Sequence, residues 1–520
     1  MAPPLSRRSF LAGGTGAIGL AALAACGTST PDSSSNPSPS GPPKRGGTLR
    51  VGSIGGTKDT LDAHFSSTDM DQQRSQNLYD SLMYLSSELP YHLEFALAES
   101  IELNADATVA TVRLRQGVEF HHGKTLTADD LIFTVRRILN PDNYGRAKTA
   151  LAAVNPNDLK KIDDRTVQFN LITPDSMFPK RWGSATTSIL PTDYDPANPV
   201  GTGPFKYKSF TPGARSVFVR NPNYWLEGQP YLDEVHIITF ADNTSRTAAL
   251  LAGQVDAIDG VDPTVLAQIG SSSKFETMIT KSGFYQPITM RVDLAPFNDV
   301  RVRQAFRLMV DRPAMVKQAY SGYAEIANDM PNPADPAYPT LPQRVQDIDQ
   351  AKSLLKAAGL EGMTVTLTTT PENGGLVNSA QVFAQQAAAA GVTVKIENLS
   401  PTAYDAKFKD WPFTNGYWAA SVIGLSYSGR FLKGGGANDS HWDDPAGDAI
   451  YRDLLKTTDP ALQKELGGKL FQRFYEMGPD IVHTFKNNLD VYSKNLTGFT
   501  PFNSNGWSLG AWRYRLVSFK

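Results

Sequence analysis

The chain has 520 residues, more than one hydrophobic core normally supports, so two or three domains are expected. Its hydrophobic content of 41% is enough for a sizeable core. The formal net charge of −2 is close to zero, which excludes the basic footprint typical of nucleic-acid-binding proteins.

The first residues predict an export signal. A Ser-Arg-Arg-Ser-Phe-Leu sequence at 6–11 matches the twin-arginine pattern, and an apolar run follows it to residue 25. That run is too short and too rich in glycine and alanine for a good transmembrane helix. We therefore expect residues 1–25 to be a signal peptide. An ordinary signal with two chance arginines is the alternative, and it would change the export route but not the destination.

A predicted lipid attachment site and a tether follow the signal. Leu-Ala-Ala-Cys at 23–26 is similar to a bacterial lipobox, and Cys26 is the only cysteine, so no intramolecular disulfide can form. We expect acyl chains on Cys26 to anchor the protein at the outer face of the cell membrane. A structural or catalytic thiol is the alternative. Residues 26–45 are rich in serine and proline and predict a disordered tether.

The next part of the chain predicts strands and helices with one motif between them. The adjacent His121 and His122 form a turn, which we interpret as solvated rather than as a metal site because no further ligand recurs at a suitable spacing. The predicted elements are a strand at 46–52, a helix at 76–85, a strand at 108–115, a helix from Thr127 to Asn140 and a strand at 165–171.

Residues 200–225 form the most distinctive stretch. Gly-Thr-Gly-Pro at 201–204 predicts a loop, and a turn at 211–213 separates two alternating runs, which indicates a β-hairpin. Tyr224 and Trp225 supply an apolar anchor at its end. Farther on, helices that begin after Asp299, Asp311 and Asp347 precede strands at 364–368 and 392–396 that are separated by another helix, which is typical of an α/β lobe.

These motifs resemble those of the peptide-type extracellular solute-binding proteins (family 5) of bacterial ABC importers. The similarity rests on the strand at 46–52, Tyr-Asp-Ser-Leu at 79–82 and the 200–225 stretch, which occur in the family's order and spacing. It implies an α/β, two-lobed, periplasmic-binding-protein-like (type II) fold with an extra subdomain inserted in the N-terminal lobe. The implied bounds are lobe 1 at 46–78, 199–290 and 490–520, the inserted subdomain at 79–198, and lobe 2 at 291–489.

The resemblance also implies a ligand site in lobe 2. Peptide-binding members have a tryptophan followed, three residues later, by an aspartate that pairs with the peptide ammonium group. Here the tryptophan matches Trp418, whereas Ser421 stands in place of the aspartate. A free peptide amino terminus would be poorly paired there. Arg430 suits a carboxylate or phosphate if it points inward, and otherwise is a solvated loop arginine.

Aromatic side chains crowd the same region and extend the predicted site. Trp411, Tyr417 and Tyr427 accompany Trp418, and they suit either a sugar platform or core packing. The predicted ligand is therefore a peptide, a modified peptide, an oligosaccharide or another polar solute, bound without a cofactor.

The predicted function is a monomeric, membrane-tethered receptor that delivers its solute to an ABC permease. An exported hydrolase is the alternative from another class, but neither a Gly-x-Ser-x-Gly elbow nor an HExxH motif occurs, and the mature fold has no cysteine nucleophile. We therefore expect no enzyme activity. A nickel or haem carrier fits poorly with seven scattered histidines, and a receptor that signals through a sensor stays open.

Overall fold

The computed structural model describes residues 43–66, 68–142, 145, 147–270 and 272–520. The predicted signal peptide, Cys26 and most of the predicted tether lie outside these ranges. Within the described residues, no helix has the length and apolar character needed to cross a membrane.

A seven-stranded sheet, called sheet A, is built from distant parts of the sequence. Its central strand, Thr48–Ile54, pairs in parallel with one neighbouring strand on each side. The buried Leu49 and Val51 anchor it in the core. In spatial order the strands of sheet A are Phe275–Thr280, Asn488–Ser493, Ala257–Ile258, Thr48–Ile54, Glu234–Phe240, Arg215–Arg220 and Phe205–Thr211.

Two further sheets have separate hydrophobic cores. Sheet B is antiparallel, and helix Ala128–Leu139 packs against it with Leu131, Val135 and Ile138 fully buried. Its strands in spatial order are Ala98–Leu103, Val109–Leu114, Thr166–Leu171 and Val154–Asp163. Sheet C has the strands Thr393–Asn398, Thr364–Thr369, Phe413–Asn415, Ile288–Met290 and Asp480–Ile481.

The remaining elements are short strand pairs and helices. The pairs are Met83–Leu85 with Leu93–Phe95, Ala324–Ile326 with Thr484–Lys486, and Leu496–Thr497 with Ser518–Phe519. The other α-helices are Asp69–Leu78, Ala147–Ala150, Phe178–Arg181, Asn243–Leu251, Pro263–Ile269, Val300–Leu308, Arg312–Tyr320, Ile348–Ala357, Leu376–Ala389, Pro401–Asp405, Ile423–Arg430, Pro445–Lys456, Pro460–Met477 and Ser508–Ala511. Short 3₁₀ turns occur at Ala63–Phe65, Ala185–Thr187 and Tyr514–Leu516.

The chain passes twice between sheet A and sheet C, which gives the molecule two lobes. The first crossing lies between Thr280 and Ile288, and the second between Ile481 and Asn488. The crossings are bonded to each other, since the Lys486 amide donates to the carbonyl of Phe284 at 2.8 Å. The mixed α/β, two-lobed prediction is confirmed, whereas the numerical lobe boundaries stay a prediction.

One predicted element is wrong. Instead of a helix over 76–85, the helix ends at Leu78, with Tyr79 as its extended C-cap, and Met83–Leu85 is a strand. The leucines at helical spacing are divided between cores, because Leu78 packs under sheet A and Leu82 under sheet B. Local periodicity could not distinguish this arrangement from one continuous helix.

Candidate functional site

The Tyr-Asp-Ser-Leu motif at 79–82 and the 200–225 stretch meet at a buried carboxylate, Asp80. It accepts hydrogen bonds from the Thr202 hydroxyl and the Trp225 indole, both at 2.9 Å, and from the hydroxyls of Tyr84 and Tyr224. Asp80 is only 2% exposed, so these donors replace water around the carboxylate. Through these bonds Asp80 fixes both ends of the 200–225 stretch, which indicates a structural role for its Gly-Thr-Gly-Pro turn.

His121 holds the adjacent glycine turn, which corrects the interpretation of the histidine pair as fully solvated. Its ring bonds the Gly201 amide at 3.2 Å and the Gly203 carbonyl at 3.0 Å. Burial is the main cause that lowers the pKa of His121 to about 4, so the ring is neutral at pH 7. His122 is exposed and lies 3.3 Å from Asp193. In the described ranges, no group of three or more His, Cys, Asp or Glu side chains could hold a metal ion.

A cavity of about 330 Å³ lies where both lobes meet. It is lined by three separate parts of the chain: the region of sheet B, the segment before the C-terminus, and the segment after strand Phe413–Asn415. The side chains and backbone groups that line it belong to Leu85, Tyr91, Thr149, Ala150, Lys180, Arg181, Gly183, Ser184, Ala420, Ser421, Leu425, Ser428, Gly429, Asn505 and Trp507.

Direct contacts close the molecule around this cavity. The Tyr91 amide donates to the Ala334 carbonyl at 2.7 Å, and the Ser176 amide donates to the Leu455 carbonyl at 2.8 Å. Met177 is 3% exposed and packs among the side chains of helices Ile423–Arg430 and Pro445–Lys456. These contacts join the sheet B region to the lobe that contains sheet C, called the second lobe. A solute in the cavity would therefore touch both lobes.

The cavity wall is largely apolar and partly aromatic, and its charged side chains are positive. Lys180 and Arg181 are its two charged residues, and no carboxylate lines it. Arg181 is neutralised by Asp175, which accepts from two guanidinium nitrogens. The other residues with polar side chains along the cavity are Tyr91, Thr149, Ser184, Ser421, Ser428, Asn505 and Trp507.

Among the predicted site residues, Ser421 lines the cavity, and Trp418 lies three residues before it. The Trp418 backbone pairs with Tyr285 of the first crossing in both directions, at 2.9 and 3.1 Å. Its buried indole nitrogen has no hydrogen-bond partner among the described residues. The Arg430 guanidinium carbon lies 4.5 Å from the Trp418 ring centroid.

Arg430 is buried at the end of a helix, which corrects its interpretation as a solvated loop arginine. It does not line this cavity, and its contact with a solute stays a prediction. It ends helix Ile423–Arg430, is 3% exposed, and pairs with Asp480 at 2.7 Å and with Asp439 at 3.5 Å. Burial is the largest influence on the pKa of Asp439 and raises it against the attraction of Arg430. The positive charge of Arg430 is therefore paired with carboxylates of the protein itself.

The other three predicted aromatics do not line the cavity. Tyr427 is 1% exposed, stacks on Tyr451 and donates to Asp448, which is core packing. The Trp411 indole donates to the Tyr404 carbonyl at 3.2 Å. Tyr417 is 38% exposed, and its hydroxyl donates to Glu372 at 3.1 Å. Solute contact by these residues stays a prediction.

Sequence reasoning missed most of the cavity wall. Tyr91, Lys180 and Trp507 lie more than eighty residues apart in sequence, and no motif or spacing relates them. The only available signal was the abundance of aromatic residues near the C-terminus, which the sequence could not assign to a site.

Two lobes, two bonded crossings and an interlobe cavity define a solute-binding protein of the type II fold. The family model of the bacterial extracellular solute-binding proteins, family 5, matches residues 92–439. The chain belongs to this family, which confirms the resemblance.

Curated relatives and solved structures agree with this assignment. The glutathione-binding protein GsiB of Pectobacterium atrosepticum is 26% identical over 471 residues, covering 86% of this chain and 90% of that protein. The substrate-binding protein CtaP of Listeria monocytogenes has a TM-score of 0.81 at 21% identity, with 92% of this chain and all of that chain covered. The oligopeptide-binding protein AppA of Bacillus subtilis, solved with a nonapeptide, has a TM-score of 0.74 at 24% identity, with 92% and 100% covered.

Proposed function

We propose that this chain is the receptor of an ABC importer, which captures a peptide-like or other small polar solute between its lobes and delivers it to the permease. The observation that carries the proposal is the cavity wall formed jointly by both lobes, with Ser421 on one side and Lys180 on the other. A solute that bridges the two walls stabilises the closed form, which is the state a permease can recognise. The glutathione- and peptide-binding relatives support this class of solute.

The proposal includes the mode of attachment. After export by the twin-arginine route, acyl chains on Cys26 hold the protein as a monomer at the outer face of the membrane, and residues 26–45 serve as the tether. The receptor carries out no reaction and binds no cofactor.

Native mass spectrometry of the purified protein, followed by thermal-shift screening of peptides, blocked peptides and oligosaccharides, tests the proposal. A bound solute at a hundredfold excess over Kd stabilises the protein by about 2.7 kcal/mol. Small-angle scattering should show compaction in the same sample. Turnover of a substrate without compaction would support the hydrolase alternative instead.

A further inference from the structure

Lys180 is a cation at the cavity wall that forms no close ion pair with the described residues. Lys180 lies on helix Phe178–Arg181 and is partly buried. No carboxylate of the described residues lies within 4.0 Å of its ammonium group. Its one side-chain contact of hydrogen-bonding type is with the Met177 sulfur at 3.8 Å. Burial, only partly offset by the attraction of Asp335, lowers the pKa of Lys180. A partly desolvated charge without a partner is unfavourable unless a ligand supplies one.

The neighbouring carboxylates are already bonded elsewhere. Asp335 accepts from the Ala337 amide at 2.8 Å and from the Ile423 amide at 2.5 Å. Asp175 is held by Arg181. Neither lines the cavity. Asp335 attracts Lys180 but accepts no hydrogen bond from it, so the Lys180 ammonium has no oxygen acceptor among the described residues.

We infer that the transported solute carries a carboxylate and that this group pairs with the Lys180 ammonium in the closed cleft. This inference rests on the proposed function and adds the chemical class of the solute. Arg181 is paired with Asp175, and Asp335 attracts Lys180, so at most one positive charge is left for a solute. A monoanionic carboxylate matches that charge better than a phosphate dianion does. Ser421 agrees with this polarity, because an aspartate at its position would have added a negative charge to the same wall.

The solute can be tested before it is identified. The purified full-length chain is incubated with the small-molecule fraction of a tryptone and yeast-extract medium, either untreated or with its carboxylates converted to methyl esters. Native mass spectrometry should show a bound solute from the untreated fraction and at least about tenfold less from the esterified one. Equal binding from both fractions overturns the carboxylate inference but leaves the receptor function intact. Absence of any bound solute from either fraction, together with no compaction in scattering, overturns both.

Lysine variants test the residue itself. K180M should weaken binding of the captured solute by at least about tenfold, because it removes one partner of a partly buried ion pair, and K180R should retain more of the affinity. The matched control is K433M, since the Lys433 side chain is 69% exposed and pairs with Asp443. The unliganded K180M variant should melt at or above the wild-type temperature, because the cost of burying the Lys180 charge exceeds its attraction to Asp335. Undiminished binding by a folded K180M variant contradicts the inference.

Discussion

At the scale of single residues, Arg430 is the most constrained side chain in the region that the sequence marked as the site. It bonds Asp480 through two nitrogens, at 2.7 and 3.1 Å, and also the hydroxyls of Tyr285 and Thr289. A guanidinium group suits this role because its fixed fork of donors can satisfy several acceptors at once. The group connects helix Ile423–Arg430 to the first crossing and to sheet C.

We expect R430M to lower the free energy of unfolding by about 3–5 kcal/mol, because it leaves buried carboxylates without a cation. Urea denaturation measures the change. The control is R301M at the more exposed Arg301–Asp299 pair, which should change the free energy of unfolding far less than R430M does. A stable R430M variant that has lost solute binding would instead make Arg430 a ligand group.

His483 gives a prediction for pH. Its ring is fully buried, and burial, with the nearby Arg312 as a second cause, lowers its pKa to about 3. The unfolded chain takes up a proton near pH 6.5 whereas the folded protein does not, so stability is present above that pH and is lost as the pH falls towards 3.

Between pH 6 and 4, H483Q should therefore lose less stability per pH unit than the wild type, by up to about 1.4 kcal/mol for one proton. Urea titrations across this range measure the slope, and the absolute stability of H483Q at pH 7 does not enter the comparison. H92Q, at an exposed histidine, is the control and should keep the wild-type slope. Identical slopes for H483Q and wild type would contradict the assignment of a neutral buried ring.

At the scale of elements, the turn that opens the hairpin is defined by close backbone approach. A Cβ atom at Gly203 would lie 2.4 Å from the Leu78 carbonyl carbon, and one at Gly201 would lie 2.1 Å from the Leu78 carbonyl oxygen. Both glycines are therefore needed where the turn meets the end of helix Asp69–Leu78. Asp80 and His121 then hold the turn through hydrogen bonds.

We expect G203A to cost about 1–3 kcal/mol or more, because backbone rather than a flexible side chain occupies the space of the new methyl group. Thermal or urea unfolding measures the loss, and solute affinity of the folded fraction should stay unchanged. G436A is the control, since Gly436 is exposed with nothing within 4 Å of its Cβ position, and should change stability by less than about 0.5 kcal/mol. Wild-type stability of G203A would contradict the scaffold role.

At the scale of the whole molecule, two chain crossings are the covalent connections between sheet A and sheet C. They place few restraints on how the lobes are oriented. Closure therefore depends on noncovalent contacts such as those of Met177, which is buried against the second lobe although its own segment belongs to the sheet B region. In an open form this side chain would face solvent.

M177E should block closure while leaving the unliganded protein folded, because a carboxylate would be buried only in the closed form. The expected result is at least tenfold weaker solute binding, about 1.4 kcal/mol or more, with an unliganded melting temperature close to that of wild type. M177L, which keeps the side-chain volume, should bind as wild type does. A large fall in the unliganded melting temperature of M177E would show that this contact is permanent rather than part of closure.

The sequence by itself determined the class of protein and most local elements. Helix Ala128–Leu139 with its Thr127 cap and the hairpin of Phe205–Thr211 with Arg215–Arg220 were predicted, because caps, turns and apolar periodicity are encoded by near neighbours. The same reasoning explains why a helix was wrongly predicted over 76–85. The apolar residues there have helical spacing, but Leu78 and Leu82 pack in two different cores.

Only the tertiary structure brought the residues of the candidate site together. Trp418 and Ser421 could be placed by motif, but Lys180 and Trp507 reach the same region through a fold that joins distant segments. The tertiary structure likewise shows that Arg430 is buried and forms ion pairs with Asp439 and Asp480. Whether a charge is balanced by the protein or left for a solute depends on tertiary contacts such as Arg430 with Asp480, and these contacts have no period or spacing in the sequence.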